Sequence, residues 1–366
     1  RTRTARARVP RPRHRCAGAA VHVLTMTATA SSQGHTKVIQ ALGWNCDGKK
    51  LATASAASDV RVWNVESHRE GKEQVLEDHK SSVEGLSWNP TNPDVLATGS
   101  ADKAIRLFDL RAKKSLKIDT PDDVLNVAYS ADGDYIVMSD KSENLRLVDV
   151  RSGRNKIIAS AAYDKEYWVN ELAWHGKDSL LMCAGRQKAD AQEKGMVELI
   201  QLDWSQGGDA GSLRSVASMV AHTANCTNIS IDAQGDHFAT GAYDGTVCLW
   251  DAHELACLRP ACTALEESVG CLSFSHDGNL IAATSEPEGR APKREAFIDI
   301  SAVSTGETLL KMPISAHAKK IAWHPSQHIL AFGGEKVVVQ DERRSSYGEQ
   351  SSRSEVPLTF VSLKVT

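Results

Sequence analysis

Apolar and polar positions along this chain follow one order that returns seven times. A Val-x-x-Leu-x-Trp stretch leads into a tight turn. A short strand of small residues follows, and then an alternating strand that ends near Trp-Asp. The aromatic position of the leading stretch is held by Trp44, Trp88, Tyr129, Trp174, Phe274 and Trp323, with Ile231 standing in once. Unit one opens at Gly34-His35 and runs to Trp63-Asn64. Asp47-Gly48 marks its hairpin turn, because Gly tolerates positive φ and Asp bonds the local backbone. Leu51 to Ser55 is its second strand, and Val60-Arg61-Val62-Trp63 alternates as a half-buried third strand should.

The other units repeat the plan. Unit two has Val83, Leu86, Trp88 and Ile105 to Asp109; unit three has Val124, Val127, Tyr129 and Leu145 to Asp149. Unit four has Val169, Leu172, Trp174 and Met196 to Leu202. Unit five carries Ala221-His222, Phe238 to Gly241 and Leu249-Trp250-Asp251. Unit six has Val269, Leu272, Phe274 and Phe297 to Ile300; unit seven has Ala316-His317, Trp323, Leu330 to Gly334 and Val337-Val338-Val339. Repeats of about 40–45 residues with this signature are WD40 blades. The fold class is therefore all-β, a seven-bladed propeller. Each blade is a small sheet that cannot bury both faces alone, and stacking around an axis buries the Val, Leu and Trp positions between neighbours.

In the fullest units a His, a strand hydroxyl, a turn Asp and a Trp indole can form one buried hydrogen-bonded chain. Unit one offers His35, Thr53 or Ser55, Asp59 and Trp63; unit five offers His222, Thr240, Asp244 and Trp250. A Ser/Thr-His-Asp set invites a catalytic reading, but the set recurs where each blade needs closing, and the Trp completes it. No Gly-x-Ser-x-Gly elbow, Walker loop, His-Glu-x-x-His or paired zinc spacing occurs. The expectation is no enzyme, no cofactor, no metal and no small-molecule substrate. His68, His253, His276 and His328 read as solvated turn residues.

Composition adds bounds. The net charge of -3 marks neither a dedicated nucleic-acid binder nor a membrane-surface protein. No apolar run approaches the ~20 residues of a membrane helix. The eight cysteines include no Cys-x-x-Cys pair, which suits buried thiols in a reducing compartment. Residues 1–15 carry seven arginines, and no acid precedes Asp47. Residues 1–25 read as a disordered Arg-rich extension, or sequence upstream of Met26, and residues 26–366 as a single propeller. A transit peptide or RNA-binding arm is the sharper alternative. Four polar segments, Arg186–Lys194, Ser205–Leu213, Glu286–Ala296 and Glu342–Val356, break the period and read as mobile loops.

Ring closure has two solutions in the sequence. Val21 to Ala30 or Pro357 to Val365 can supply the missing strand of blade seven. N-terminal closure is the favoured one, since an open ring would expose pairing edges. Loops beside the Gly-His positions and after the second strands should share one rim. That rim would carry Lys37, Lys80, Lys165, Tyr167, Trp168, Arg186, Tyr243, Lys319 and Lys320. Aromatics ringed by cations are the composition of a partner-binding interface.

Unit-specific wording goes further than the repeat. It includes Leu86-Ser87-Trp88-Asn89-Pro90-Thr91-Asn92-Pro93-Asp94 and Asp102-Lys103-Ala104-Ile105-Arg106-Leu107-Phe108-Asp109-Leu110-Arg111. It also includes Leu272-Ser273-Phe274-Ser275-His276-Asp277-Gly278, Phe297-Ile298-Asp299-Ile300 and Ala322-Trp323-His324-Pro325. In this wording, over about residues 35 to 341, the chain resembles the WD-repeat subunits of the THO/TREX machinery, which couples transcription to mRNA export. The resemblance implies a nuclear, non-enzymatic scaffold. Its partners would be the other THO subunits and, through them, a DEAD-box RNA helicase, with RNA contact indirect or minor. The lengthened unit four, Phe108 in place of Trp, the interrupted unit six and the tail from Asp341 depart from that family's pattern. A second class stays open. Substrate receptors of cullin-RING ubiquitin ligases carry Trp-Asp-x-Arg after a blade strand, and Phe108-Asp109-Leu110-Arg111 and Val148-Asp149-Val150-Arg151 come close.

Overall fold

A computed structural model describes residues 21–27, 34–65, 73–112, 114–163, 167–186, 194–204, 211–285, 296–314, 317–334, 337–340, 352–356 and 358–365. Among the described residues, seven four-stranded antiparallel sheets stand around one axis, each inner strand touching the next and the seventh touching the first. Blade one comprises Ile39–Trp44, Lys50–Ser55, Val60–Asn64 and Glu73–Leu76, from the axis outward. Blade two comprises Val83–Trp88, Val95–Ser100, Ala104–Asp109 and Leu116–Asp119; blade three comprises Val124–Tyr129, Tyr135–Asp140, Asn144–Asp149 and Lys156–Ala162. Blade four comprises Tyr167–Trp174, Ser179–Arg186, Gly195–Asp203 and Ser212–His222; blade five comprises Cys226–Ile231, His237–Ala242, Val247–Asp251 and Ala256–Ala261. Blade six comprises Val269–Phe274, Leu280–Ser285, Phe297–Ala302 and Thr308–Pro313.

The leading Val-x-x-Leu-x-Trp pattern has a structural cause. Strict alternation would put residues three apart on opposite faces of a strand. Here the inner strand bulges after its first residue, between Val83 and Gly85 in blade two and at the same place in blades one and three to six. Val83, Leu86 and Trp88 then oppose Ser100, Thr98 and Leu96, two residues apart each time, so all three share a face. That face packs on the previous blade. Val83, Trp88, Leu96 and Phe108 of blade two join Ala41, Ala52, Ala54, Val60 and Val62 of blade one in one buried cluster. The Trp also ties the seam with a polar bond. The indoles of Trp44, Trp88, Trp174 and Trp323 donate to the carbonyls of Ala322, Gly43, Ala128 and Ser273, each on the inner strand of the preceding blade.

Small second-strand residues let blades approach. A Cβ at Gly99 would lie 2.4 Å from Cγ1 of Val124 in blade three, and one at Gly241 2.5 Å from Cγ1 of Val269 in blade six.

Blade seven decides between the two closures that the sequence leaves open, and the N-terminal one is found. Val337–Gln340 pairs with Ser352–Glu355 in a separate hairpin instead of joining the blade. The third strand is Leu358–Val365, set against Ile329–Gly333, which itself pairs with the inner strand Lys320–Trp323. Burial explains the choice: Val361 and Leu363 fill the core beside Leu330 and Phe332, and Leu358 packs with Ala331 and with Leu51 of blade one. The outer strand is Val21–Thr27, so both chain ends meet in this blade. It begins inside the segment read as a disordered extension; residues 1–20 lie outside the described ones. Most of the four segments read as loops also lie outside them, but Ser212-Leu213 and Ser352–Glu355 are strand.

Candidate partner-binding rim and the buried blade network

Strand direction sets the rim. Inner strands start where second strands end, so the loops before one and after the other share an end of the ring. His35, His79 and His222 stand on that end, just ahead of inner strands, and turn inward. In blade one, Trp63 Nε1 donates to Thr53 Oγ1 at 2.9 Å, Thr53 stands 2.7 Å from His35 Nε2, and His35 Nδ1 stands 2.9 Å from Asp59 Oδ2. The Thr53 hydroxyl thus joins the indole to one ring nitrogen of His35, and Asp59 holds the other. Ser55 and Arg61 also bond Asp59, and Arg61 continues to Glu73 at 2.8 Å. Burial opposes ionisation of Asp59, but His35, Ser55 and Arg61 outweigh it and hold the carboxyl well below its usual range.

Blade five differs from the sequence expectation by one link. Trp250 donates to Thr240 at 2.9 Å, and Thr240 lies 2.7 Å from His222 Nε2. His222 Nδ1 then meets Thr246 Oγ1 at 2.9 Å, and Thr246 donates to Asp244 at 2.5 Å. Asp244 itself is 3.5 Å from the ring and takes the Thr223 N–H and hydroxyl. A third network was missed in the sequence: His79 bonds Thr98 at 2.7 Å and Asp102 at 2.9 Å. Its signal was faint because Asp78, not Gly, precedes the histidine, and Phe108 fills the Trp place. Burial lowers the affinity of His79 and His222 for a proton; Asp102 and Asp244 offset part of that. The hydroxyls of Thr53, Thr98 and Thr240 belong to fully buried residues, so each His–Asp pair holds a strand in place and presents no open nucleophile.

Two of the other rim residues are exposed aromatics. Trp168 is 45% exposed and Tyr243 47%, values far from those of a core aromatic. Lys37 and Lys80 are exposed; Tyr167, Lys319 and Lys320 are half-buried. Tyr167 packs edge-on against Tyr163 at 6.2 Å, and Lys320 reaches Glu171 at 3.8 Å. Arg186 ends the second strand of blade four, and Lys165 lies outside the described residues. Beside Trp168 a groove of about 750 Å³ is lined by Glu84, Asp123, Leu125, Lys141 and Glu143. Those acids were not among the expected rim residues, because no core pattern marks them.

The opposite end carries the two Asp-x-Arg pairs. Arg111 forks onto Asp109 at 2.9 and 2.8 Å, and Arg151 onto Asp149 at 3.1 and 2.8 Å. Also there, His276 and His328 are half-buried rather than solvated, packed edge-on with ring centres 4.7 Å apart, and His328 lies 3.2 Å from Asp277. Among the described residues these three form the one His/Cys/Asp/Glu group whose donor atoms lie within 4.8 Å of one another. Asp277 is already engaged with Ser275 at 2.6 Å and Asn279 at 2.8 Å, as the carboxylate of its hairpin turn. Cys183, Cys226, Cys262 and Cys271 are buried, and burial raises the thiols of Cys183, Cys262 and Cys271; Cys46 and Cys257 are exposed. Among the described residues no helix is long and apolar enough to cross a membrane.

Comparison with known proteins agrees with this architecture. The family model for the WD domain, G-beta repeat, matches residues 26–64, 71–109 and 213–251. THO complex subunit 3 of Arabidopsis thaliana is 34% identical over 307 residues, covering 83% of this chain and 88% of that protein. WD repeat-containing protein AAC3 of Dictyostelium discoideum is 25% identical, covering 82% of this chain and 63% of that protein. Among solved structures, the β-propeller domain of Cps50 (Swd1) from Myceliophthora thermophila superposes with a TM-score of 0.66 at 17% identity, covering 84% of this chain and 95% of that one.

Proposed function

Because the chain belongs to the THO complex subunit 3 family of WD-repeat proteins, we propose that it is a non-enzymatic scaffold subunit of a nuclear THO complex. In that role it supports mRNP assembly and mRNA export coupled to transcription. The observation that carries the reading is the 34% identity sustained over 83% of the chain, far beyond the three repeats a general WD model matches. A scaffold role fits the buried networks, where each His–Asp pair is spent on holding a strand. The partners are the other THO subunits, with the DEAD-box helicase reached through them and RNA contact indirect or minor. The rim bearing Lys37, Lys80, Lys165, Tyr167, Trp168, Arg186, Tyr243, Lys319 and Lys320 is the surface we assign to them, on the exposure of Trp168 and Tyr243.

Affinity purification of the tagged chain from nuclear extract tests the reading. The expected result is co-purification of the remaining THO subunits. Co-purification of a cullin-RING adaptor in their place would favour the ligase-receptor reading, for which the paired Arg111–Asp109 and Arg151–Asp149 forks are the supporting feature. Charge reversal at Lys165, Lys319 and Lys320 together should weaken capture of the subunits; unchanged capture would remove these lysines from the interface.

A further inference from the structure

The rim is not uniformly cationic. Lys37, Lys319 and Lys320 belong to blades one and seven, whereas the groove of about 750 Å³ opens over blades two to four. Glu84 is the bulged residue of blade two's inner strand, and Leu125 that of blade three. Asp123 precedes the inner strand of blade three, Lys141 and Glu143 lie in that blade's turn between second and third strands, and Trp168 opens blade four. Three separate blades thus converge on one apolar trough edged by three carboxylates and one ammonium group.

We infer that this groove seats a basic segment of a protein partner, with an arginine laid over Trp168 and its guanidinium among Glu84, Asp123 and Glu143. The inference rests on the scaffold reading and names the chemistry of one of its contacts.

Three observations support it. Trp168 is 45% exposed at the groove, and an exposed Trp beside a trough is the anchor type that dominates interface energies. Its ring face also attracts a cation. Glu143 is 7% exposed and held in a left-handed turn at φ 59°, where its Oε2 accepts the Val169 N–H at 2.7 Å. Among the described residues its other oxygen receives no hydrogen bond, and burial together with Asp140 raises its carboxyl. A cationic donor at this carboxylate would add a charge-assisted hydrogen bond to the one from Val169. Lys141 does not fill that role: its side chain is 70% exposed and its Nζ stands 3.7 Å from Asp123, at the groove's edge. A planar guanidinium can both stack on an indole and fork between carboxylates, which an ammonium cannot, and this selects arginine over lysine. The same carboxylates repel a phosphate backbone, so RNA is the wrong occupant.

The test uses the full chain and the purified remaining THO subunits, with dissociation constants measured at low and high salt. Trp168→Ala, the pair Glu84→Lys with Asp123→Lys, and Glu143→Gln are compared with the unaltered chain. Loss of an aromatic anchor should weaken binding roughly ten-fold or more. The charge-reversed pair should lose at least as much, most strongly at low salt. Glu143→Gln keeps an acceptor for Val169 and should show a smaller, salt-sensitive loss. Trp168 is exposed, so Trp168→Ala decides the matter should the Lys pair melt early. Binding that all folded variants retain at full strength overturns the groove and leaves the scaffold reading standing. An unaltered chain that binds none of the subunits overturns both.

Discussion

Thr240→Val asks how much one buried hydroxyl contributes when two partners depend on it. The substitution keeps the shape of the side chain and removes its oxygen. Trp250 Nε1 loses its acceptor at 2.9 Å, and His222 Nε2 loses its partner at 2.7 Å, both inside the protein, with Trp250 6% exposed and His222 4% exposed. A buried polar group left unsatisfied costs about 1–3 kcal/mol. Two such groups give a destabilisation of about 4 kcal/mol. Blade two supplies an internal control. Thr98 is equally buried and equally bonded to His79 at 2.7 Å, but Phe108 stands where the indole would be. Thr98→Val therefore orphans one group and should cost about 2 kcal/mol. Equilibrium urea denaturation measures both, with thermal melting as the second probe. At roughly 2 °C per kcal/mol for a chain of this size, the expected drops are about 8 °C and about 4 °C. Equal losses in the two variants would refute the additive reading of the network. A larger loss at Thr98 would refute the assignment of the indole bond altogether.

Three further outcomes follow from the geometry. Gly99→Ala places a methyl 2.4 Å from Val124 and 2.5 Å from Val127 and should cost about 1–3 kcal/mol by overpacking, whereas Gly43→Ala, whose nearest neighbour is 3.4 Å away, should be close to neutral; denaturation midpoints decide. His79 and His222 are held neutral by burial, so the fold binds fewer protons than the unfolded chain. Their contribution is full above about pH 6.5 and is lost as the pH falls below it, and melting curves from pH 7.5 to 5 should show a decline that His79→Gln with His222→Gln flattens. Removing residues 1–20 leaves Val21–Thr27 paired and should leave the melting temperature unchanged, while removing residues 1–27 bares the edge of Leu358–Val365 and should lower it; equal melting of the two truncations would show that the C-terminal strand closes the ring alone.

The ring was legible because its repeat is written in the residues that make the seams. Trp44, Trp88, Trp174 and Trp323 each fill a core and tie a carbonyl of the preceding blade, so the aromatic recurs and can be counted. Blade one was legible to the level of single hydrogen bonds, and blade five but for one link, because both keep Gly-His or Ala-His, Thr and Trp together. Blade two lost two of those markers, and its His79–Thr98–Asp102 chain went unseen. Thr246 escaped for another reason: Asp244 stands at the expected place, and nothing in the sequence says that a threonine side chain enters between it and His222. The third strand of blade seven stayed open between two segments because Val337-Val338-Val339 has the composition of a strand and follows at the usual interval. Composition marks a strand but does not say which edge it joins, and Leu358–Val365 takes that edge by burying Leu358, Val361 and Leu363.

The same bulge explains both what the sequence showed and what it hid. In blades one to six it inserts one residue between the first and second core positions of the inner strand, which brings all three core positions onto one face and makes the pattern readable. The inserted residue is released from that face. In blades two and three it is Glu84 and Leu125, and both line the groove. In blades four and five it is Asn170 and Thr227, which bond the carbonyls of Cys226 and Val269 in the next blade. Core packing places no demand on this position, so its identity is free to differ from blade to blade, and periodicity reads it as noise. The rim's chemistry is written at such positions and in the turns beside them. A seven-fold scaffold can therefore vary its partner surface one blade at a time without touching the residues that hold the ring together.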